Sequence, residues 1–322
     1  MESTPMQLPW VTVIITAYNH DQYVVEAIDS VVNQSYAHIQ IILIDNGSQD
    51  QTYQKILPYL DTLENLIFIK NVENRGLCKA FNQGLSLAKG KYIVDLSADD
   101  VLLEYRIEKQ VGFFEQLPSY YGVIFSNAIY WDTNGNYLQH HFKVDSQQKA
   151  IAAVASGAVF KDILERYFIC TPTMMIRADL LRKLEGYDET LAFEDFDFWV
   201  RSSVLCHYQY QDEILTVKRE LAHSFGKQII EKYNPLLAST LKVCQKAYLL
   251  CELPDERVAL AGRIQTFIRK SFYCEQFQMA FHFAVLHRQI QPIGIKTRLI
   301  LFFCKMRLPL NNFYRAFRWL AR

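Results

Sequence analysis

Net charge, paired cysteines and long apolar runs are all missing from this chain of 322 residues. Lys plus Arg and Asp plus Glu stand at 34 each, so no global field selects nucleic acid or an acidic partner, and no nucleic-acid role is expected. The seven cysteines are scattered without CxxC spacing, which argues against a disulfide framework and a zinc site and leaves reduced thiols. No stretch reaches the roughly 18 apolar residues of a membrane span; the nearest, LILFFCKM at 299–306, is too short. The start, MESTPMQLPW, lacks a basic segment leading into an apolar run. No secretory signal is therefore expected, and the cytoplasm is the expected compartment, with peripheral contact on its membrane face left open. Repeats and low-complexity linkers are absent too.

What is present is a regular alternation. Half of the residues are apolar, enough for a large core. VTVIITAY reads as a buried strand, Asn19 and Asp21 as caps, and VVEAIDSVVNQS as a helix with apolar positions at helical spacing. IQIILID is a second strand, NGSQDQT a turn, and QKILPYL a helix that Pro58 interrupts or ends. LIFIK, then LCKAFNQGLSLAKG closed by Gly90, then KYIVDL complete a βαβαβαβ series. Such a series predicts a mostly parallel, Rossmann-like sheet flanked by helices, which binds ligands at the carboxyl ends of its strands. Thr16 to Asn19, Asp45 to Ser48 and Ser97 to Asp100 fall at those ends.

After the acids, RIEKQVGFFEQL reads as a helix, and GVIFSNAIYWD with YLQHHFKV as a hairpin that makes the sheet mixed. A helix is expected to begin near Glu194 and a last strand to run from Tyr208 to Val217. Beyond about residue 222 amphipathic helices follow, with Val258, Ala261, Ile264, Phe267 and Ile268 on one face and Phe277, Phe281 and Val285 at four-residue steps. We therefore divide the chain into 1–222 and a helical extension, 223–322. From Gln276 to Arg322 there is no acidic residue, while Arg288, Lys296, Arg298, Lys305, Arg307, Arg315, Arg318 and Arg322 alternate with Phe, Leu, Ile and Trp319.

Adjacent carboxylates repel, so Asp99-Asp100 suits a place where a cation or a ribose occupies both, or a helix N-terminus. From the residues alone, Tyr18 is an ordinary loop aromatic and Asp45 a helix or turn cap.

Together VTVIITAYN, IILIDNGSQD, ENRGLCKAFNQGLSLAKGKYIV, LSADD and GYDETLAFEDFDFWVR, in this order, resemble the family 2 glycosyltransferases of GT-A fold. The resemblance covers residues 10–222. It implies nucleobase and ribose contacts from Thr16, Ala17, Tyr18, Asp45 and Asn46, with the Tyr18 ring face on the base and Asp45 accepting a pyrimidine N–H, and a nucleotide or phosphate contact from Arg75, for which a solvated loop arginine is the alternative. It implies Mg²⁺ or Mn²⁺ on Asp99, with Asp100 helping or holding ribose or backbone; hard oxygen ligands suit these ions. From the ED pair it implies a catalytic base, Asp195, with Glu194 as acceptor-binding partner or alternate base. Asp197 caps or pairs locally, and Phe196 and Trp199 either floor an acceptor sugar or fill the core.

The activity implied is inverting, metal-dependent transfer from a nucleoside diphosphate sugar, UDP or dTDP first, to a hydroxyl of a glycan or lipid-linked glycan in cell-surface polysaccharide synthesis. No QxxRW motif follows the ED segment, which suits single addition rather than processive polymerisation. Where the family often writes acids, this chain has Asn46 and Ser97; the alternative is accordingly a non-catalytic nucleotide-sugar or glycan-binding member. A sugar nucleotidyltransferase would need a glycine-rich basic loop, and ITAYNHDQY does not resemble one. The basic tail suits an anionic membrane, docking on the catalytic domain, or a homodimer contact.

Overall fold

The computed structural model describes residues 8–221, 231–232 and 235–320, those of 316–320 by backbone alone. Residues 1–7 of the segment read for a signal, the division at 222/223 and Arg322 lie outside the described residues. By internal packing the chain forms two units: Met1–Ala158 with Ile169–Glu189 and Leu205–Glu220, and Val159–Phe168 with Thr190–Val204 and Leu221–Arg322.

The first unit opens with β1 (Val11–Ala17), α1 (Val24–Val32), β2 (Ile39–Asp45), α2 (Thr52–Leu60), β3 (Leu66–Lys70), α3 (Leu77–Leu85) and β4 (Tyr92–Ser97). β5 (Val101–Leu102), α4 (Arg106–Glu115), β6 (Tyr121–Trp131), β7 (Tyr137–His140), β8 (Met175–Arg177) and β9 (His207–Arg219) follow. The strands form one sheet in the order β3-β2-β1-β4-β8-β6-β9-β5, with β7 on β6. Its first four strands are parallel; β8 runs antiparallel to β4 and β6, and β5 antiparallel to β9. β1 and β2 are buried at every position, as expected of parallel strands covered on both faces. One face packs Val13, Ile15, Ile41 and Val94 against Val24 and Ile28 of α1 and Ile107 and Phe114 of α4. On the other, Gly84 lets α3 approach Ile14 and Ile44; an added Cβ would stand 2.7 Å from the Ile14 side chain.

The strand order reverses at β1: β2 and β3 build to one side and β4 to the other. This is the topological switch point, where the carboxyl ends of adjacent strands leave a crevice. The register sets Thr16 beside both Ile44 and Ser97, and Ala17 beside Asp45.

Three local expectations need correction. Asn19 and Asp21 do not cap α1, whose N-cap is Tyr23 without a side-chain bond; both instead tie the β1–α1 loop to the β2–α2 loop. Pro58 neither interrupts nor ends α2, which runs on to Leu60, since proline forfeits a single bond there in the last turn. Gly90 is no helix cap either, because α3 ends at Leu85. It is small because a Cβ there would meet the Thr12 backbone nitrogen at 2.5 Å.

The second unit is helical: Phe160–Glu165, Asp195–Ser203, Leu236–Leu250, Pro254–Tyr273, Phe277–Ile290, Ile295–Lys305 and Asn311–Leu320. In Pro254–Tyr273 the core takes Ala261, Ile264, Phe267 and Ile268, while Val258 is exposed. Phe277–Ile290 buries Ala280, Phe283, Ala284, Leu286 and His287 and leaves Phe281 and Val285 of the four-residue stripe exposed.

Candidate active site

Two loops at the switch point are knitted by their own polar side chains. Asn19 receives the Gln49 N–H on Oδ1 at 2.8 Å and donates its own N–H to Ser48 Oγ. The Asp50 carboxylate takes the Asp21 and Thr52 N–H groups, and the His20 N–H reaches Thr52 Oγ1 at 2.9 Å. Short polar residues therefore spend themselves on loop shape, as Asx and Ser/Thr turns do.

Between these loops lie polar atoms that the fold leaves unused. Asp45 is almost wholly buried; its Oδ1 accepts the Ser48 N–H at 2.9 Å, whereas Oδ2 has no partner. The turn-cap reading and the ligand reading thus each take one oxygen. Thr16 Oγ1 and His20 Nδ1 are likewise buried and unpartnered. Unmade hydrogen bonds of this kind cost about 1–3 kcal/mol each, and a ligand filling them recovers it. Tyr18 stands exposed directly after β1. The Ala17 carbonyl is taken by the Asn46 N–H at 2.8 Å.

Asn46 has its side chain fully engaged. Oδ1 accepts from Asn71 Nδ2 and the Arg75 N–H at 3.0 and 3.1 Å, and Nδ2 donates to Asn74 Oδ1 at 3.1 Å. The amide thus clamps the loop that carries Arg75, whose side chain is exposed. A carboxylate here could not donate to Asn74, a physical reason for an amide at this position. Gly47 has a φ of 79°, and a Cβ added to it would stand 2.3 Å from the Glu73 backbone, so only glycine fits beneath this loop.

Asp99 and Asp100 have different surroundings. Neither caps α4, whose N-cap is Tyr105. Asp100 is buried and accepts the Arg219 N–H at 2.9 Å. Burial first, then the charge of Asp99, raises its carboxyl above the usual range, against the pull of Lys218 and Arg219. Asp99 is half-buried and receives the Ser97 hydroxyl. Arg219 holds the pair in place, donating to the Asp99 carbonyl at 2.8 Å and to Glu26 at 2.6 Å, with its guanidinium 4.6 Å over the Tyr23 ring. Arg219 had no signal in the sequence; it is one arginine at a strand end.

Among the described residues no group of three or more His, Cys, Asp and Glu side chains is placed to hold a metal ion. The donors at this edge are hard oxygens, the Asp99 carboxylate and Ser97 hydroxyl. That set fits Mg²⁺ or Mn²⁺ completed by phosphate oxygens and water, the usual arrangement for magnesium, and does not suit a softer ion.

Asp95, on β4 four residues before Asp99, accepts the Tyr187 hydroxyl at 2.9 Å. Burial outweighs the lowering by that bond and pushes its carboxyl up to about 7.

The ED segment belongs to the second unit. Glu194 is the N-cap of the helix Asp195–Ser203. Both Glu194 and Asp195 are half-buried, and Asp195 Oδ1 accepts the Phe196 N–H at 2.6 Å. Tyr167 lies in the field of Asp195, and the Arg263 guanidinium stacks 3.7 Å over its ring. Neither Tyr167 nor Arg263 stood out in the sequence. Phe196 and Trp199 are buried and fill the core rather than floor a sugar.

Asp197 is fully buried, between Arg201 Nε and Lys246 Nζ, each at 2.6 Å. Asp197→Ala should therefore cost about 2–3 kcal/mol of stability, because it strips two half-covered cations of their shared acceptor. Urea unfolding measures this, and a nucleotide-induced thermal shift should survive the change.

A family model described as glycosyl transferase family 2 matches residues 12–184. The chain belongs to that family. This glycosyltransferase is 32% identical over 202 residues to an uncharacterized glycosyltransferase of Methanocaldococcus jannaschii, covering 61% of the present chain and 65% of that protein. Among solved structures, the transferase superposes on S. aureus TarS 1-349 in complex with UDP with a TM-score of 0.64 at 16% identity, over 92% of its own length and 87% of that 1-349 chain. A mannosyltransferase from Pyrobaculum calidifontis in complex with GDP-Man and Mn²⁺ gives 0.56 at 14% identity, over 93% and 80%. The family 2 transferase thus has a GT-A-like fold, as its motifs imply.

Proposed function

We propose that this transferase inverts the anomeric centre of a nucleoside diphosphate sugar while moving the sugar to a hydroxyl of a glycan or lipid-linked glycan, in cell-surface polysaccharide synthesis. The observation that carries the reading is the pair of buried, unpartnered oxygens, Asp45 Oδ2 and Thr16 Oγ1, at the carboxyl ends of adjacent strands. Asp45 accepts the ring N–H of a pyrimidine, Thr16 offers a hydroxyl, and Tyr18 lays its ring on the base. The clamp of Asn46 on its loop presents Arg75 to the diphosphate. Asp99, steadied by Ser97, takes the divalent ion, which when bound offsets charge on the departing diphosphate, and Asp100 fixes the strand end beneath it.

Asp195 is the base. It takes the acceptor's proton as the hydroxyl oxygen bonds to the anomeric carbon, and the bond to the diphosphate breaks with its electron pair leaving on the nucleotide. Glu194 binds the acceptor. The nucleotides held by TarS and by the mannosyltransferase support a diphosphate donor. Ser97 and Asn46 in place of acids favour the second reading, a binding-only member of the family.

Thermal unfolding with UDP, dTDP, GDP, CDP and ADP, each with Mn²⁺ or with EDTA, tests the donor. UDP or dTDP should raise the midpoint by about 5 °C at a hundredfold excess over Kd. No shift with any diphosphate in the presence of Mn²⁺ would remove the donor assignment.

A further inference from the structure

The helix Ile295–Lys305 has two apolar sides. Thr297, Leu301 and Cys304 face the core. On the opposite side Ile295, Leu299, Phe302 and Met306 are 84%, 55%, 56% and 55% exposed. Their spacing of four, three and four residues makes one continuous stripe. Scattered exposed apolar residues are ordinary, but a stripe of four large ones along a single helix marks a surface that meets something apolar. The stripe is bordered by exposed cations, Lys296, Arg298, Lys305 and Arg307. Exposed Phe281, Val285 and Arg288 on Phe277–Ile290 repeat the pattern, as does Phe313 at 75% exposure beyond it.

Charge decides the occupant. No Asp or Glu occurs from Gln276 to Arg322, so two copies meeting face to face would set cation against cation around the stripe. An anionic lipid surface meets both requirements at once: acyl chains receive the apolar stripe, and headgroup phosphates receive its cationic border. Among the described residues no helix is long and apolar enough to cross a membrane, so this contact lies in the plane of the interface.

We propose that the helix Ile295–Lys305 docks the protein on an anionic bilayer through Ile295, Leu299, Phe302 and Met306, with Lys296, Arg298, Lys305 and Arg307 on the headgroups. The docking is independent of the donor assignment, and vesicles alone test it without nucleotide or acceptor. The full chain is sedimented with vesicles of phosphatidylcholine, and of phosphatidylcholine mixed with phosphatidylglycerol, at low and high salt. Binding should require phosphatidylglycerol and weaken as salt rises. The double variant Leu299→Asp/Phe302→Asp should weaken it by about tenfold or more, and Lys296→Gln/Lys305→Gln by about fivefold per removed charge. All four residues are exposed, so the thermal midpoints should not move.

Absence of binding to phosphatidylglycerol vesicles overturns the proposal, and so does binding that both variants leave intact. Light scattering that shows a dimer dissolved by Leu299→Asp/Phe302→Asp, without vesicle binding, overturns it in favour of a contact between two copies.

Discussion

Asp195→Asn is expected to slow sugar transfer by about a hundredfold to ten-thousandfold while leaving donor binding unchanged, the range that a positioned general base supplies. The substitution is nearly isosteric, and the new amide oxygen can still accept the Phe196 N–H that Asp195 Oδ1 receives at 2.6 Å. What it removes is the capacity to carry a proton. Turnover is read with the donor that the thermal panel selects, and binding by the midpoint shift with the same nucleotide. Unchanged transfer would strip Asp195 of its role and pass it to Glu194, where Glu194→Gln gives the same reading. Transfer by the wild type that Asp195→Asn abolishes would eliminate the binding-only alternative.

Asp99→Ala should abolish the Mn²⁺-dependent part of the nucleotide shift, about 5 °C at a hundredfold excess of ligand, with little change in the midpoint of the free protein. Asp100→Ala should behave in the opposite sense. Its carboxylate is buried and holds the Arg219 N–H, so removing it leaves a buried donor unmade and costs about 1–3 kcal/mol before any ligand is added. The contrast separates the two acids by experiment: one acts through a bound ion, the other through the backbone of β9. A metal-dependent shift that persists in Asp99→Ala would take the ion away from this position.

Much of the first unit was legible because its signals are local. Short β-branched runs, helical spacing and turn residues each act over a few positions, and their alternation was enough to place Thr16, Asp45 and Ser97 at strand ends. Signals failed where one residue type serves two purposes. Gly90 reads as a helix cap because glycine usually is one there, yet it is required by the approach of β1. Asn19 and Asp21 read as caps because their short acceptors suit caps, but the neighbouring loop gives the Gln49 N–H to Asn19 Oδ1 and takes the Asp21 N–H on the Asp50 carboxylate. In the second unit, Phe277, Phe281 and Val285 recur at four-residue steps, yet Phe281 and Val285 are exposed, since periodicity reports that a helix has an apolar side without saying which apolar side is buried.

By itself the sequence determined the parallel alternation, the helical character of the last hundred or so residues and the acid-bearing strand ends, because backbone period and turn chemistry are written in near neighbours. Tertiary structure alone decided which polar groups remain available. Arg219, 119 positions away, takes up Asp100. The loop holding Asn71 and Asn74 takes up Asn46, and Lys246 with Arg201 takes up Asp197. Asp45 Oδ2 and Thr16 Oγ1 are left without partners. A carboxylate or amide looks the same in sequence whether its hydrogen bonds are spent or open; only partners brought from afar by folding distinguish the two.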